Sequence, residues 1–369
     1  MAVNFDTVII GSGLLGLLTA RELLREGQSV ALFDRGKPGM ESSWAGGGIL
    51  SPLYPWRSPE VLEGLIRWGQ ENYPALAEQL LAETGIDPEW RQTGLLILEK
   101  HETDVAMEWS RRTAVSCECV SLHRMKEIEP ALKLEKEEKG LWLQEVAQVR
   151  NPQLIDALLQ SLQESGATFC NPVTVNRLVV KQGAVQRIET TDGEFNAANY
   201  VISAGAWSSH LLTGLGYVIP VKPVRGQMLC LKAENPVLQR ILLQEGIYII
   251  PRADGHVLVG STLEDVGFDK STDDAARHQL LETAARIFPP VKSMAFVKHW
   301  SGLRPGTPDG IPYICAYPGI ANLYLNTGHF RSGITLAPGS ARLLADIMLT
   351  RETIVEAGPF SFNNRSVPA

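Results

Sequence analysis

The N-terminal stretch constrains this chain more than any other segment. Asp6-Thr7-Val8-Ile9-Ile10 is rich in β-branched residues, and Gly11-Ser12-Gly13-Leu14-Leu15-Gly16 follows it directly, so a predicted strand runs through a glycine turn into a helix. Leu14, Leu17, Leu18, Leu23 and Leu24 recur at helical spacing until Gly27 supplies a stop, and Ser29 to Phe33 reads as a second, parallel strand. In such a βαβ unit each glycine has a steric task. Gly11 permits the tight turn, Gly13 lets backbone approach a pyrophosphate, and Gly16 lets helix and strand pack closely while the helix N-terminus faces the phosphates. Asp34 closes the second strand about 18 residues beyond Gly16, near the spacing of a carboxylate that accepts a ribose hydroxyl and repels a 2′-phosphate. The pattern points to a dinucleotide and leaves FAD and NAD both open.

The rest of the chain must supply more than this unit. At 369 residues it exceeds the size at which one core usually stops growing, which predicts two domains. Arg35 to Gly39 reads as a loop, followed by Ser42-Ser43-Trp44-Ala45-Gly46-Gly47-Gly48-Ile49, where consecutive glycines allow a flat ring or a diphosphate to lie against backbone and the serines offer hydroxyls. Glu60 to Glu83 shows helical spacing, Thr93 to Glu99 reads as a strand, and His101 to Lys139 is charged and helix-prone. Asn151 to Gly166 reads as an amphipathic helix, and the segments near Thr168 to Val180 and Ala184 to Thr190 as strands before an Asp192-Gly193 turn. Tyr200 to Trp207 is a buried-type strand that ends in Ala204-Gly205, a second strand-to-glycine junction. Pro220 to Gly302 is β-rich, with a hairpin of Gly246 to Arg252 and His256 to Thr262 across an Asp254-Gly255 turn. Asn322 to Asn326 reads as a strand, Thr327 to Gly333 as a turn, and Ile334 to Leu349 as a long helix whose N-terminus can face an anionic centre.

Composition excludes several classes. Thirty-four Lys and Arg against 41 Asp and Glu leave a formal charge of −7, which opposes attraction to nucleic acid or anionic lipid. No apolar run reaches the ~20 residues of a membrane span, and no secretory pattern opens the sequence, so the expected location is the cytoplasm. The five cysteines, Cys117, Cys119, Cys170, Cys230 and Cys315, do not form a disulfide framework, and Cys117-x-Cys119 lacks the second ligand pair of a metal site; no metal is expected.

Two further blocks carry a resemblance: His299-Trp300-Ser301-Gly302-Leu303-Arg304-Pro305-Gly306-Thr307-Pro308-Asp309-Gly310-Ile311-Pro312-Tyr313-Ile314 and Thr327-Gly328-His329-Phe330-Arg331-Ser332-Gly333-Ile334-Thr335-Leu336-Ala337-Pro338. With the hairpin bearing Tyr248-Ile249-Ile250-Pro251-Arg252, the chain resembles the D-amino-acid oxidase superfamily of flavoproteins nearly end to end. The resemblance implies an α/β fold with a discontinuous Rossmann-like FAD-binding domain (1–85, 145–219, 300–369) and an antiparallel β-rich substrate domain (86–144, 220–299). It selects FAD over NAD. It implies FAD contacts from Gly11, Ser12, Gly13, Leu14, Leu15, Gly16, Asp34, Arg35, Ser42, Ser43, Ala45, Gly46, Gly47, Gly48, Ile49, Val173, Ala204, Gly205, Trp207, His329, Arg331, Ser332, Gly333, Ile334 and Thr335. It also implies that Tyr248 and Arg304 hold the substrate carboxylate, that Arg331 lies near flavin and substrate amine, and that Ile49 and Leu263 form an apolar wall. An arginine fork suits bidentate carboxylate binding. Relatives that attach FAD covalently use a cysteine where this chain has Gly302, which implies non-covalent FAD.

The expected chemistry is oxidation of a small amino acid such as glycine, sarcosine or D-alanine: hydride passes from Cα to flavin N5, the imine hydrolyses, and O₂ is reduced to hydrogen peroxide. No Cys/His or paired-carboxylate constellation offers an obligatory base, and His329 reads as structural. A secondary-amine oxidase, a dehydrogenase that passes electrons to a quinone, and a flavin-binding sensor or assembly subunit without turnover remain alternatives. The resemblance further implies a homotetramer and a link to thiamine thiazole synthesis.

Overall fold

The computed structural model describes residues 4–99, 102–132 and 139–362. Residues 133–138 of the expected charged, helix-prone stretch lie outside the described residues, as do its first residue, His101, and the first three residues of the chain.

Asn4–Ile10 is the central strand of the first sheet, and Val8, Ile9 and Ile10 are buried on both faces, as a parallel strand covered by other layers requires. It pairs in parallel with Val30–Phe33 on one side and Gly193–Ile202 on the other. Thr168–Cys170 extends the sheet beyond Val30–Phe33; Leu323–Thr327 and the antiparallel edge strand Tyr313–Ala316 extend it beyond Gly193–Ile202. The helices Leu14–Arg25, Glu63–Thr84, Asn151–Glu164 and Gly333–Met348 contribute to the apolar core around Ile9, Leu32 and Val201. Across the sheet, Val8, Ile10, Ile202 and Leu325 share a second core with Leu178 and Ile188 of the hairpin Val175–Lys181 and Ala184–Thr190.

The second sheet is almost wholly antiparallel, in the order Ala295–Gly306, Lys222–Lys232, His256–Gly260, Ile247–Pro251, Ile241–Gln244, Leu95–Ile97, Gly140–Leu143 and Glu118–Val120. Its longest pairing, Lys222–Lys232 with Ala295–Gly306, keeps the latter strand in this sheet beyond residue 300. The expected hairpin is present, with Tyr248 opposite Gly260. The region read as β-rich also contains the helix Asp274–Ile287, started by Asp273, whose carboxylate accepts the Ala276 amide at 2.8 Å. Its Leu280, Ala284 and Ile287 pack with Leu229, Ile249 and Val259 of the sheet.

One buried arginine, just past Ile247–Pro251, ties the second sheet to the segments around Gly47 and Gln148–Val149. The Arg252 guanidinium donates to Gln148 Oε1 at 2.6 Å, to the Val149 carbonyl at 2.9 Å and to the Gly47 carbonyl at 2.9 Å. Burial lowers its pKa to about 10, so it stays charged at neutral pH. Among the described residues no helix is long and apolar enough to cross a membrane.

Candidate functional site

The parallel strands end together. The Gly11 amide donates to the Phe33 carbonyl at 2.8 Å, and Ser203, just past Gly193–Ile202, donates to the Ile10 carbonyl at 2.8 Å. A side chain at Gly11 would place Cβ 2.4 Å from the Ser203 carbonyl oxygen, and Gly11 has φ +105°, so glycine is required twice over. At this junction two adjoining cavities open, of about 260 and 450 Å³, sharing Leu14, Leu15, Ser42, Ser43, Pro305 and His329 in their walls.

The smaller cavity is walled by Gly11, Gly13, Leu14, Leu15, Asp34, Arg35, Ser42, Ser43, Val173, Ala204, Gly205, Trp207 and His329, all singled out in the sequence. Asp34 accepts the Ser12 amide at 2.9 Å and the Gly36 amide at 3.0 Å. Burial nevertheless raises its pKa above the ordinary carboxylate value. Arg35 lies 3.8 Å over the Trp207 ring and pairs with Glu41 at 3.1 Å. The helix Leu14–Arg25 has no side-chain cap from its own N-cap, Gly13; instead the Leu14 amide donates to the Ser43 hydroxyl at 2.9 Å.

The larger cavity is walled by Gly46, Gly47, Gly48, Ile49, Tyr248, Arg304, Arg331, Ser332, Gly333 and Ile334. Arg304 and Tyr248 both sit on glycines of neighbouring strands. A Cβ on Gly226 would meet Arg304 Nη1 at 2.1 Å, and one on Gly260 would meet the Tyr248 hydroxyl at 2.9 Å. Arg304 is held by donating to the Ser261 hydroxyl at 2.6 Å and to the Thr262 carbonyl at 3.3 Å, with no carboxylate partner among the described residues. Arg331 follows Phe330, whose φ of +47° is uncommon for a bulky residue, and it lines the cavity as an exposed residue. Desolvation first, and the Arg304 charge second, lower the Arg331 pKa.

Five residues expected at the site lie outside both walls. The Ser12 amide and carbonyl are engaged by Asp34 and Gly39, with its hydroxyl buried. Gly16 serves packing, since its Cβ would stand 2.0 Å from the Gly11 carbonyl oxygen. Ala45 receives the Trp300 indole N–H on its carbonyl at 3.1 Å, and Thr335 is buried with its hydroxyl donating to the Ile49 carbonyl at 3.3 Å. Leu263 is 57% exposed and forms no part of the apolar wall. Its neighbours explain this: Thr262 bonds the Gln227 amide and Glu264 pairs with buried Arg225, which leaves residue 263 directed away from the sheet. The glycine run also differs from expectation. Gly47 is packed against Ile250 and Tyr248, and Gly48, at φ +78°, against the Val149 carbonyl, so part of the run makes room for protein.

Sequence reasoning missed Asn151, Ser203 and Asn326 of these walls. Each has a buried side-chain oxygen with no hydrogen-bond partner among the described residues, as does Nδ1 of His329. Four orphaned polar atoms along one elongated space fit a long ligand rich in hydroxyls and carbonyls. His329 is fully buried, its Nε2 3.0 Å from the Ser340 hydroxyl, and burial lowers its pKa to about 3, so the ring is neutral at ordinary pH. Gly302 leaves no room for a larger residue, because a Cβ there would lie 2.5 Å from that of Ala45. None of the five cysteines lines either cavity, and no cluster of potential metal ligands occurs among the described residues.

Comparison with known proteins agrees with this geometry. The FAD dependent oxidoreductase family model, DAO, matches residues 6–347. The chain belongs to that family. It is 44% identical to a glycine oxidase of Pseudomonas aeruginosa over 96% of this chain and 97% of that one. It is 33% identical to the bifunctional protein ThiO/ThiG of Trichormus variabilis, covering 94% of this chain and 53% of the other. Among solved structures of the family, the glycine oxidase from Geobacillus kaustophilus superposes with a TM-score of 0.94 at 30% identity, covering 98% of this chain and 99% of that one.

Proposed function

We propose that the chain binds FAD non-covalently along the two cavities and oxidises glycine, and other small amines such as sarcosine and D-alanine, to the 2-oxo acid, ammonia or an amine, and hydrogen peroxide. The observation that carries this reading is the seating of Tyr248 and Arg304 on Gly260 and Gly226, which places the Tyr248 ring, its hydroxyl 3.5 Å from Met228 Sδ, and a guanidinium without a carboxylate partner among the described residues in the wall of the cavity that adjoins the dinucleotide cleft.

The residues divide the work. Asp34 accepts ribose hydroxyls, the Gly13–Leu15 helix start receives the pyrophosphate, and Val173, Arg35 and Trp207 border the adenosine end. Gly46 to Ile49 and the turn from His329 to Ile334 border the flavin ring, with the uncapped N-terminus of Gly333–Met348 favouring negative charge. When bound, the flavin supplies the two-electron acceptor for hydride from the substrate Cα. Tyr248 and Arg304 fix the carboxylate and so orient Cα, each charge-assisted hydrogen bond contributing about 1.5 to 3 kcal/mol. The Arg331 cation disfavours an ammonium beside it and therefore selects the neutral amine. His329, neutral and bonded to Ser340, serves as a positioning residue rather than a base.

In this reading the two sheets form the two domains, with the substrate domain retaining Ala295–Gly306 to its end. The protein is cytoplasmic and homotetrameric, and its imine product feeds thiamine thiazole synthesis, a link supported by the name of the ThiO/ThiG relative. The test is turnover by purified protein with glycine, sarcosine and D-alanine, following glyoxylate or pyruvate and peroxide together. Peroxide equal to the oxo acid supports an oxidase; oxo acid without peroxide would identify a dehydrogenase.

A further inference from the structure

The Arg304 guanidinium has two edges that suit a planar carboxylate, and the protein occupies one of them. Nη1 donates to the Thr262 carbonyl at 3.3 Å and Nη2 to the Ser261 hydroxyl at 2.6 Å, which leaves the edge formed by Nε and Nη2 open. The open edge is aimed only as well as the two residues that hold the other. Ser261 and Thr262 follow the strand His256–Gly260, and the neighbouring strand Lys222–Lys232 fixes them. Its Gly226 lies beneath the guanidinium, and the next residue, Gln227, clasps Thr262: the Gln227 amide donates to Thr262 Oγ1 at 2.8 Å, and the Gln227 carbonyl accepts the Thr262 amide at 3.3 Å. Gln227 is fully buried, and both ends of its side-chain amide are bonded. Nε2 donates to Asp273 Oδ2 at 2.7 Å and to Glu264 Oε1 at 3.0 Å, while Oε1 accepts the Asp273 amide at 3.1 Å. Asp273 also caps the helix Asp274–Ile287, and Glu264 accepts Nε of buried Arg225 at 2.8 Å. Gln227 thus ties Thr262 to a helix start and to a buried ion pair, and a buried network with its members satisfied rigidifies what it ties.

We infer that Gln227 is a positioning residue for the substrate carboxylate: through Thr262 it sets the orientation of the Arg304 fork, although it lies outside the walls of both cavities. This rests on the proposed amine oxidation, in which Tyr248 and Arg304 receive that carboxylate. A guanidinium held on one edge gives up little freedom when a carboxylate meets the other, so the clasp lowers the cost of binding. Without it the Thr262 carbonyl is no longer fixed and the fork samples other orientations. The carboxylate is bound in the ground state and in the transition state alike, so the effect falls on KM and leaves kcat nearly unchanged. The pair Gly226 and Gln227 thereby does two jobs from adjacent positions of one strand, a floor beneath the guanidinium and a clasp on its partner.

The experiment measures the Kd of acetate, which carries the carboxylate without the amine, from its perturbation of the flavin bands, together with KM and kcat for glycine. It uses the flavin-loaded native protein, Gln227→Met, Thr262→Val and Thr262→Ser. Gln227→Met keeps an unbranched side chain of similar length without the amide; Thr262→Val removes the clasped hydroxyl at nearly constant shape, and Thr262→Ser keeps it. The expected result is that Gln227→Met and Thr262→Val raise the acetate Kd and the glycine KM together by about tenfold, with kcat within about twofold of native, and that Thr262→Ser stays near the native values. Acetate Kd and glycine KM that Gln227→Met leaves unmoved, in protein whose melting temperature and flavin content match the native, overturn the inference. So does a loss confined to kcat. Should Gln227→Met fail to fold, the threonine pair decides: equal acetate affinity in Thr262→Val and Thr262→Ser overturns it. Native flavoprotein that neither binds acetate nor turns over glycine overturns the oxidase reading, and this inference with it.

Discussion

Gly226 lies directly beneath the Arg304 guanidinium, so close that a single added methyl at 226 would stand 2.1 Å from Nη1 and 2.4 Å from the central carbon. The two residues sit on neighbouring antiparallel strands, two positions out of register, and the missing side chain of one is the space that the other fills. Gly226→Ala therefore has to move the guanidinium. The expected outcome is a rise in the KM for glycine of about tenfold or more, the loss of roughly one charge-assisted hydrogen bond, with flavin content retained. Steady-state kinetics on the flavin-loaded variant check it.

Asp34 answers for the cofactor rather than the substrate. It is held by two amides and its burial already raises its pKa, so removing the carboxylate leaves both amides without an acceptor and the ribose without its partner. Asp34→Ala is expected to weaken FAD binding by about ten- to a hundredfold, from the 1.5 to 3 kcal/mol of hydrogen bonding to a charged group. Titration of the apoprotein with FAD, followed by flavin fluorescence, measures the change.

Arg252 bonds one side chain and two carbonyls of the segments around Gly47 and Gln148–Val149. Arg252→Met leaves those acceptors buried and unpaired, at about 1 to 3 kcal/mol each. A fall in thermal unfolding temperature is expected in apoprotein as well as holoprotein, which separates this structural role from loss of cofactor. Equal melting temperatures in native and variant apoprotein would contradict it.

His329 sets an acid limit. Its folded pKa of about 3 lies below the ordinary 6.5, so below pH 6.5 the unfolded chain takes up a proton that the fold refuses. The contribution is fully present above 6.5 and falls by about 1.4 kcal/mol per pH unit from there down toward 3. His329→Asn, which keeps a hydrogen-bonding side chain without this titration, is expected to flatten the loss of stability between pH 6.5 and 5. Denaturant unfolding at several pH values reads the slope.

The parts legible in the sequence were those written in local pattern. The strand, glycine turn and helix around Gly11 to Gly16, and the hairpin carrying Tyr248, follow from periodicity and turn residues, which act over a few positions. The resemblance supplied Arg304 and Arg331, which no spacing rule would have selected. Hidden were the features that exist only after long-range pairing: the strand Lys222–Lys232, interrupted by Pro223 and Gly226; the Arg252 clamp; and the orphaned oxygens of Asn151, Ser203 and Asn326. Leu263 misled because its place in the sequence says nothing of the Arg225–Glu264 pair that turns it outward.

The most direct measurement of the central claim is the visible spectrum of the purified protein under anaerobic conditions, before and after glycine. The expected record shows flavin bands that bleach on glycine addition and recover in air with release of peroxide, and a yellow supernatant after acid precipitation. A colourless protein that fails to take up FAD, or flavin bands that glycine leaves untouched, would contradict it.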